Sequence, residues 1–234
     1  MPYHGVRGDF LLGLVREGSA FSVEEQNGFW VLSLPQGSFR RRIALERGTR
    51  ELQRRQVRRC VFPEHFPQQT WFARRGIEGV DVLPLLRKKA GEWVFAERQA
   101  RGLAGSVAVF AEQLNGDVEG ALRLLLKGMG SVSLPPLRGA EELQRELLRE
   151  SGAVLRLLSP PRLFAAQTLL DFSHCAAAGE ALTLRIGESG LPCFTLPAEV
   201  AAEFPAHTNR AQLAAALWEL GRLETKVIGL KSGM

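Results

Sequence analysis

Residues 140–158 read AEELQRELLRES-G-AVLRLL: an amphipathic helix, a glycine, and a short run in which the apolar period drops from about 3.6 to 2. The glycine can take the left-handed conformation that ends a helix cheaply, so this stretch predicts helix, stop, strand. The same unit recurs as VDVLPLLRKKA-G-EWVFAE (80–97), DVEGALRLLLK-G-MGSVSL (117–134), SPPRLFAAQTLLDFSHCAAA-G-EALTLRI (159–186) and NRAQLAAALWEL-G-RLETKVI (209–228). The spacing between units is irregular, which excludes a solenoid. Helices and short strands interleaved in this way predict an α+β chain.

Upstream, residues 9–17 (DFLLGLVRE) place Phe10, Leu11, Leu14 and Val15 at helical spacing before Gly18 and predict an opening helix. Asn27-Gly28 then separates two apolar-rich arms and predicts a hairpin with a type I′ turn, whose two central residues need positive φ. After Pro35-Gln36-Gly37, Phe39, Ile43 and Leu45 read as one face of a strand. Thr49 reads as the cap of a helix that runs to about Cys60. Pro135-Pro136, flanked by Gly128, Gly130 and Gly139, predicts a linker between two small α+β domains, 1–135 and 136–234.

The chain has 234 residues and a formal charge of +5, and that charge is local. Between Ser38 and Phe62 nine arginines (Arg40, Arg41, Arg42, Arg47, Arg50, Arg54, Arg55, Arg58, Arg59) face two glutamates, a balance of +7 that leaves −2 for the remainder. If 49–60 is helical, Arg47, Arg50, Arg54 and Arg58 line one face in a stripe on the order of 17 Å long, widened by Arg55 and Arg59. Arginine binds phosphate with two parallel hydrogen bonds, so an anionic partner relieves the mutual repulsion of such a stripe. Trp71, with Phe62, Phe66 and Phe72 nearby, supplies aromatic surface for stacking on unpaired bases.

Three cysteines, Cys60, Cys175 and Cys193, form no pairing pattern, which predicts a reducing, cytoplasmic setting. The longest uncharged apolar stretch, 103–111, is about half of what a bilayer needs, so no membrane span is expected. Cys60 with His65, and His174 with Cys175, lack the convergent spacing of a metal site, and Cys175 and Cys193 read as core residues. No G-x-S-x-G elbow, S-x-x-K or phosphate-binding glycine loop is present. No cofactor, metal site or catalytic residue is therefore expected.

The two ends share an outline, from Leu11-Leu12 to LPLLRKKAGEWVF and from Leu169-Leu170 through EALTLRIGESGLPCFTL to LAAALWELGRLETKV. With Trp218-Glu219-Leu220-Gly221 as a closing aromatic-x-x-Gly element, this outline resembles the PATAN domain of bacterial response regulators. The first copy departs from it, since Trp93 follows Gly91. The resemblance implies an adaptor that works through protein contacts and assigns no catalytic residue. The residues themselves predict a non-enzymatic regulatory protein that contacts nucleic acid, DNA or RNA, through the arginine-rich segment 40–59. An acidic protein surface or a second copy of the chain is the alternative partner.

Overall fold

The computed structural model describes residues 12–173, 182–187 and 192–232. In chain order the elements are β1 (Leu12–Gly18), β2 (Ser22–Gln26), β3 (Phe29–Pro35), α1 (Ser38–Arg54), β4 (Arg59–Val61), α2 (Gln69–Ala73) and β5 (Glu78–Gly79). There follow α3 (Leu83–Lys88), α4 (Ala90–Ala100), β6 (Val107–Phe110), α5 (Gly116–Met129), β7 (Ser131–Leu134), α6 (Ala140–Ser151) and β8 (Val154–Leu157). The last are α7 (Pro160–Leu163), β9 (Thr168–Asp171), β10 (Leu182–Arg185), β11 (Cys193–Thr195), α8 (Ala198–Ala202), α9 (Arg210–Glu219) and β12 (Gly229–Lys231). The chain is of the α+β class, with helices and short strands mixed throughout.

It forms two compact units, one from Met1–Val82 and Leu196–Val227, the other from Leu83–Thr195 and Ile228–Met234. The expected boundary at 135/136 is therefore misplaced. Pro135-Pro136 marks a turn, but β7 before it and β8 after it pair in parallel from Ser131↔Val154 to Leu134↔Leu157, so one sheet spans the prolines. The real division is discontinuous because the segment after β4 binds residues far downstream. Phe62 N donates to Gln212 Oε1 at 2.9 Å, Glu64 N donates to the His207 carbonyl at 2.7 Å, and Pro63 bridges Thr208.

The sheet of the first unit runs β2-β3-β1-β4-β5, parallel except for β2. The hairpin is present as expected: Asn27 (φ 51) and Gly28 (φ 69) join β2 to β3 with Gln26 opposite Phe29. The helix expected over 9–17 is instead β1 from Leu12 onward, and residues 9–11 lie outside the described residues. A short run buried on both sides, as Leu12 to Val15 is, matches helix and central strand equally well, and pairing with β3 and β4 decides it.

The strand expected at 39–45 and the helix expected at 49–60 are corrected together. A single helix, α1, covers 38–54, and Arg58 and Arg59 lie beyond it. Ala44, Leu45, Gly48 and Leu52 share one buried face, so Gly48 does not break the helix but lets it settle on β3. A Cβ at Gly48 would come within 2.6 Å of Leu32 Cδ1. Thr49 is no cap: it is buried mid-helix and its hydroxyl donates to the Leu45 carbonyl at 2.8 Å.

In the second unit β10-β9-β6-β7-β8 form an all-parallel sheet. The unit at 140–158 folds as expected, with Gly152 (φ 68) capping α6 before β8. At 117–134 the capping glycine is Gly130, not Gly128, which stays inside α5. At 80–97 the expected strand is helical: Gly91 lies inside α4, where a Cβ would come within 3.2 Å of the Ala121 carbonyl, so this glycine serves close helix packing. At 159–186 the helix ends at Leu163 and residues 168–171 are β9, while 174–181 lie outside the described residues. At 209–228 α9 and Gly221 (φ 66) form as expected, but a single 3-10 turn follows and the strand begins only at Gly229. Leu12 and Leu169-Leu170, which open the two copies of the outline at the chain ends, are thus strand residues.

Cys60 is fully buried on β4 against Gly13 of β1, where any Cβ would run into its Sγ. Burial pushes the Cys60 thiol far above its ordinary range. Gly13→Ala is expected to cost about 1–3 kcal/mol by overpacking, seen as a lower urea midpoint at unchanged slope. Gly13→Ala with Cys60→Ala should cost less than the two single changes summed, by at least about 0.5 kcal/mol. In a Cys175→Ser protein, Ellman's reagent should titrate exposed Cys193 in the native state and Cys60 only after guanidinium is added.

Candidate nucleic-acid interface

α1 presents Arg40, Ile43, Arg47, Arg50 and Arg54 at intervals of three and four, opposite the face buried on the sheet. At about 1.5 Å per residue the row is roughly 21 Å long. Arg50 pairs with Glu46 at 2.7 Å and Arg54 with Glu51 at 3.2 Å, both at exposed positions. Exposed pairs of this kind contribute about 0–1 kcal/mol, so they give way readily to a better anion. Among the described residues no carboxylate pairs with Arg40, Arg42, Arg47 or Arg58, all of them exposed. Arg42 stands to one side of the row, and Arg58 beyond the end of the helix.

The other expected members are turned to structural work. Arg41 is only 18% exposed; it pairs with Glu17 at 2.8 Å and donates to Gln68 Oε1 at 3.2 Å. Arg55 pairs with Glu51 at 2.5 Å, and its guanidinium lies 4.4 Å from the centre of the Trp30 ring. Arg59 on β4 pairs with Glu219 of α9 at 2.9 Å. Trp71 is half-buried against the core of the first unit, and the Arg75 guanidinium stacks 3.5 Å over its ring, so that face is taken. The expected set therefore divides: Arg40, Arg47, Arg50 and Arg54 come together, while Arg41, Arg55, Arg59 and Trp71 do not join them.

Between α1 and the β2 side of the hairpin runs a groove of about 470 Å³, walled by Arg47, Arg50, Arg54 and Arg55 on one side and Phe21 and Val23 on the other. Phe21 was not singled out by the sequence; the Arg47 guanidinium sits 5.2 Å over its ring. The signal that could have found it is the Asn27-Gly28 turn, which folds β2 back beside β3, against which α1 packs. Glu51 is the acidic member of the groove, and its carboxyl is held below the usual range by the hydrogen bond from Arg55 and by the charges of Arg55 and Arg54. It stays ionised and masks part of the arginine field.

The acidic face of α6 is engaged within its own unit, Glu146 and Glu150 taking Arg123 at 2.6 and 2.9 Å. A cavity of about 650 Å³ lies at the amino ends of β6 and β7 beside buried Arg98. Arg98 already donates to Thr168 Oγ1 at 2.7 Å and to the Gly105 carbonyl at 2.8 Å, bonds that tie the strand β9 to the loop before β6. Burial lowers the pKa of its guanidinium. No cluster of three or more His, Cys, Asp or Glu side chains suited to a metal occurs among the described residues. Cys60 is buried and His65 exposed, Cys193 is an exposed strand residue rather than a core one, and His174 and Cys175 lie outside the described residues. No described helix is long and apolar enough to cross a membrane.

No family model matches the chain, and no characterised protein matches it. Among solved structures it is similar to ornithine carbamoyltransferase from Gloeobacter violaceus, at 17% identity and a TM-score of 0.33 over 89% of this chain and 85% of that one. At that level the likeness carries no argument about fold or activity, and the arginine face stands on its own geometry.

Proposed function

We propose that this chain is a non-enzymatic, cytoplasmic regulatory protein that binds nucleic acid through the exposed arginine face of α1. The observation that carries the reading is the row Arg40, Arg47, Arg50 and Arg54, about 21 Å of positive surface on one rigid helix. Of the carboxylates paired along it, Glu46 is held by an exposed ion pair with Arg50, while Glu51 is shared between exposed Arg54 and partly buried Arg55. Phosphates contribute charge-assisted bonds at such a face and release their condensed counterions on binding. Ile43, 47% exposed in the middle of the row, favours a second reading in which an acidic, partly apolar protein surface docks there, as in a PATAN-type adaptor.

Gel-shift or fluorescence-anisotropy titrations across a salt series separate the two. Four phosphate contacts give a log K against log salt slope of about −3.6 on duplex DNA or about −2.8 on a single strand. Replacing Arg47, Arg50 and Arg54 with alanine should reduce the slope by about three contacts and weaken binding at low salt by more than tenfold. Binding that survives the triple change unaltered, or no binding at low salt, overturns the nucleic-acid reading. Loss of a co-purifying protein on Ile43→Glu would then favour the adaptor.

A further inference from the structure

The parallel strands of the first unit lie in the order β3-β1-β4-β5, so the chain leaves β1 toward β3 and leaves β4 toward β5. The carboxyl ends of β1 and β4 thus flank the point where the connections diverge, and open parallel sheets hold their ligands in the crevice at such a point. A cavity of about 400 Å³ lies there, within the range of small-molecule sites. Val15 and Glu17 come to it from β1, Arg41 from α1, His65 and Phe66 from the segment after β4, and His207 from the segment that β4's extension binds.

Arg41 lines this crevice rather than the arginine face outside. Its Nη1 donates to Glu17 at 2.8 Å and its Nη2 to Gln68 at 3.2 Å, which fixes the guanidinium plane. Its Nε is buried and has no partner among the described residues. Arg41 nonetheless lines the crevice with part of its side chain exposed, and a guanidinium edge takes a carboxylate through two parallel bonds. His65 stands at the rim with φ 54, held by the bond from Glu64 N to the His207 carbonyl, so both imidazoles belong to one braced loop pair.

The rest of the wall selects the ligand. Phe66, Pro63, Pro67 and Pro205 make much of it apolar; Arg16 also lines it but is paired with Glu24 at 2.7 Å, and Glu17 and Glu64 oppose a doubly charged phosphate. We propose that this crevice binds a small organic monocarboxylate, with its carboxylate on Arg41 between His65 and His207 and its apolar body against Pro63, Pro67 and Pro205. The site is separate from the nucleic-acid face and does not depend on that reading.

Isothermal titration calorimetry of the intact protein with benzoate, hexanoate and inorganic phosphate tests it. One-site, saturable binding of at least one carboxylate below about 10 mM, with no binding of phosphate, is the expected result. Arg41→Gln should weaken it roughly tenfold or more. Arg41→Gln also removes the contact to Glu17, so His65→Gly provides the second variant: it relieves the positive φ, keeps the fold, and should weaken binding at least about threefold. No saturable heat with either carboxylate, phosphate binding as tightly as they do, or unchanged binding in folded variants overturns the proposal.

Discussion

The seat of α1 on the first sheet is the constraint on which both proposed sites depend. Gly48 lies against Leu32, and Ala44, Leu45 and Leu52 fill the same contact. A helix held at glycine distance cannot roll about its axis without driving a side chain into the sheet. That fixed rotation turns Arg40, Arg47, Arg50 and Arg54 to the outside and brings Arg41 to Glu17 at the end of β1. Beneath it, Gly13 lets Cys60 close the β1–β4 pair whose carboxyl ends flank the crevice.

Burial sorts the nine arginines more sharply than their spacing does. Arg41, Arg55 and Arg59 are partly desolvated, and each has a carboxylate, Glu17, Glu51 or Glu219, within 2.5–2.9 Å. Removing one partner there would strand a half-buried charge. The outward arginines are exposed, and two of them rest on glutamates of the same helix that cost little to leave. A single charged segment is thus divided by burial: Arg41, Arg55 and Arg59 tie parts of the first unit together, and Arg40, Arg47, Arg50 and Arg54 face outward.

The two main sheets share a plan of strand order. In each, the first strand lies inside the sheet and the chain builds to one side before crossing to the other: β1 to β3 and then β4, β6 to β7 and β8 and then β9. In the first sheet that reversal opens the crevice at Arg41. In the second, Asp171 ends β9 opposite Phe110 of β6 and is fully buried, with Ser173 bonding to it at 2.9 and 3.0 Å.

Much of the fold was legible locally. The Asn27-Gly28 hairpin, Gly152 ending α6 and Gly221 following α9 are decided by which residues tolerate positive φ, a property of the residue itself. The α+β class and the confinement of positive charge to 40–59 were likewise determined by the sequence alone. Tertiary contact decided the rest. Leu12–Gly18 and Thr168–Asp171 are strands because neighbours on both sides complete their ladders, although their apolar runs suit a helix. Gly48 and Gly91 stay inside helices because β3 and α5 approach them closely, which no local rule anticipates. Which arginines face solvent follows from that packing. So does the crevice, since Val15, Arg41, His65 and His207 converge only when β1, α1 and the segment after α8 are brought to one edge of the sheet, and separation along the chain hides such a meeting from any reading of local pattern.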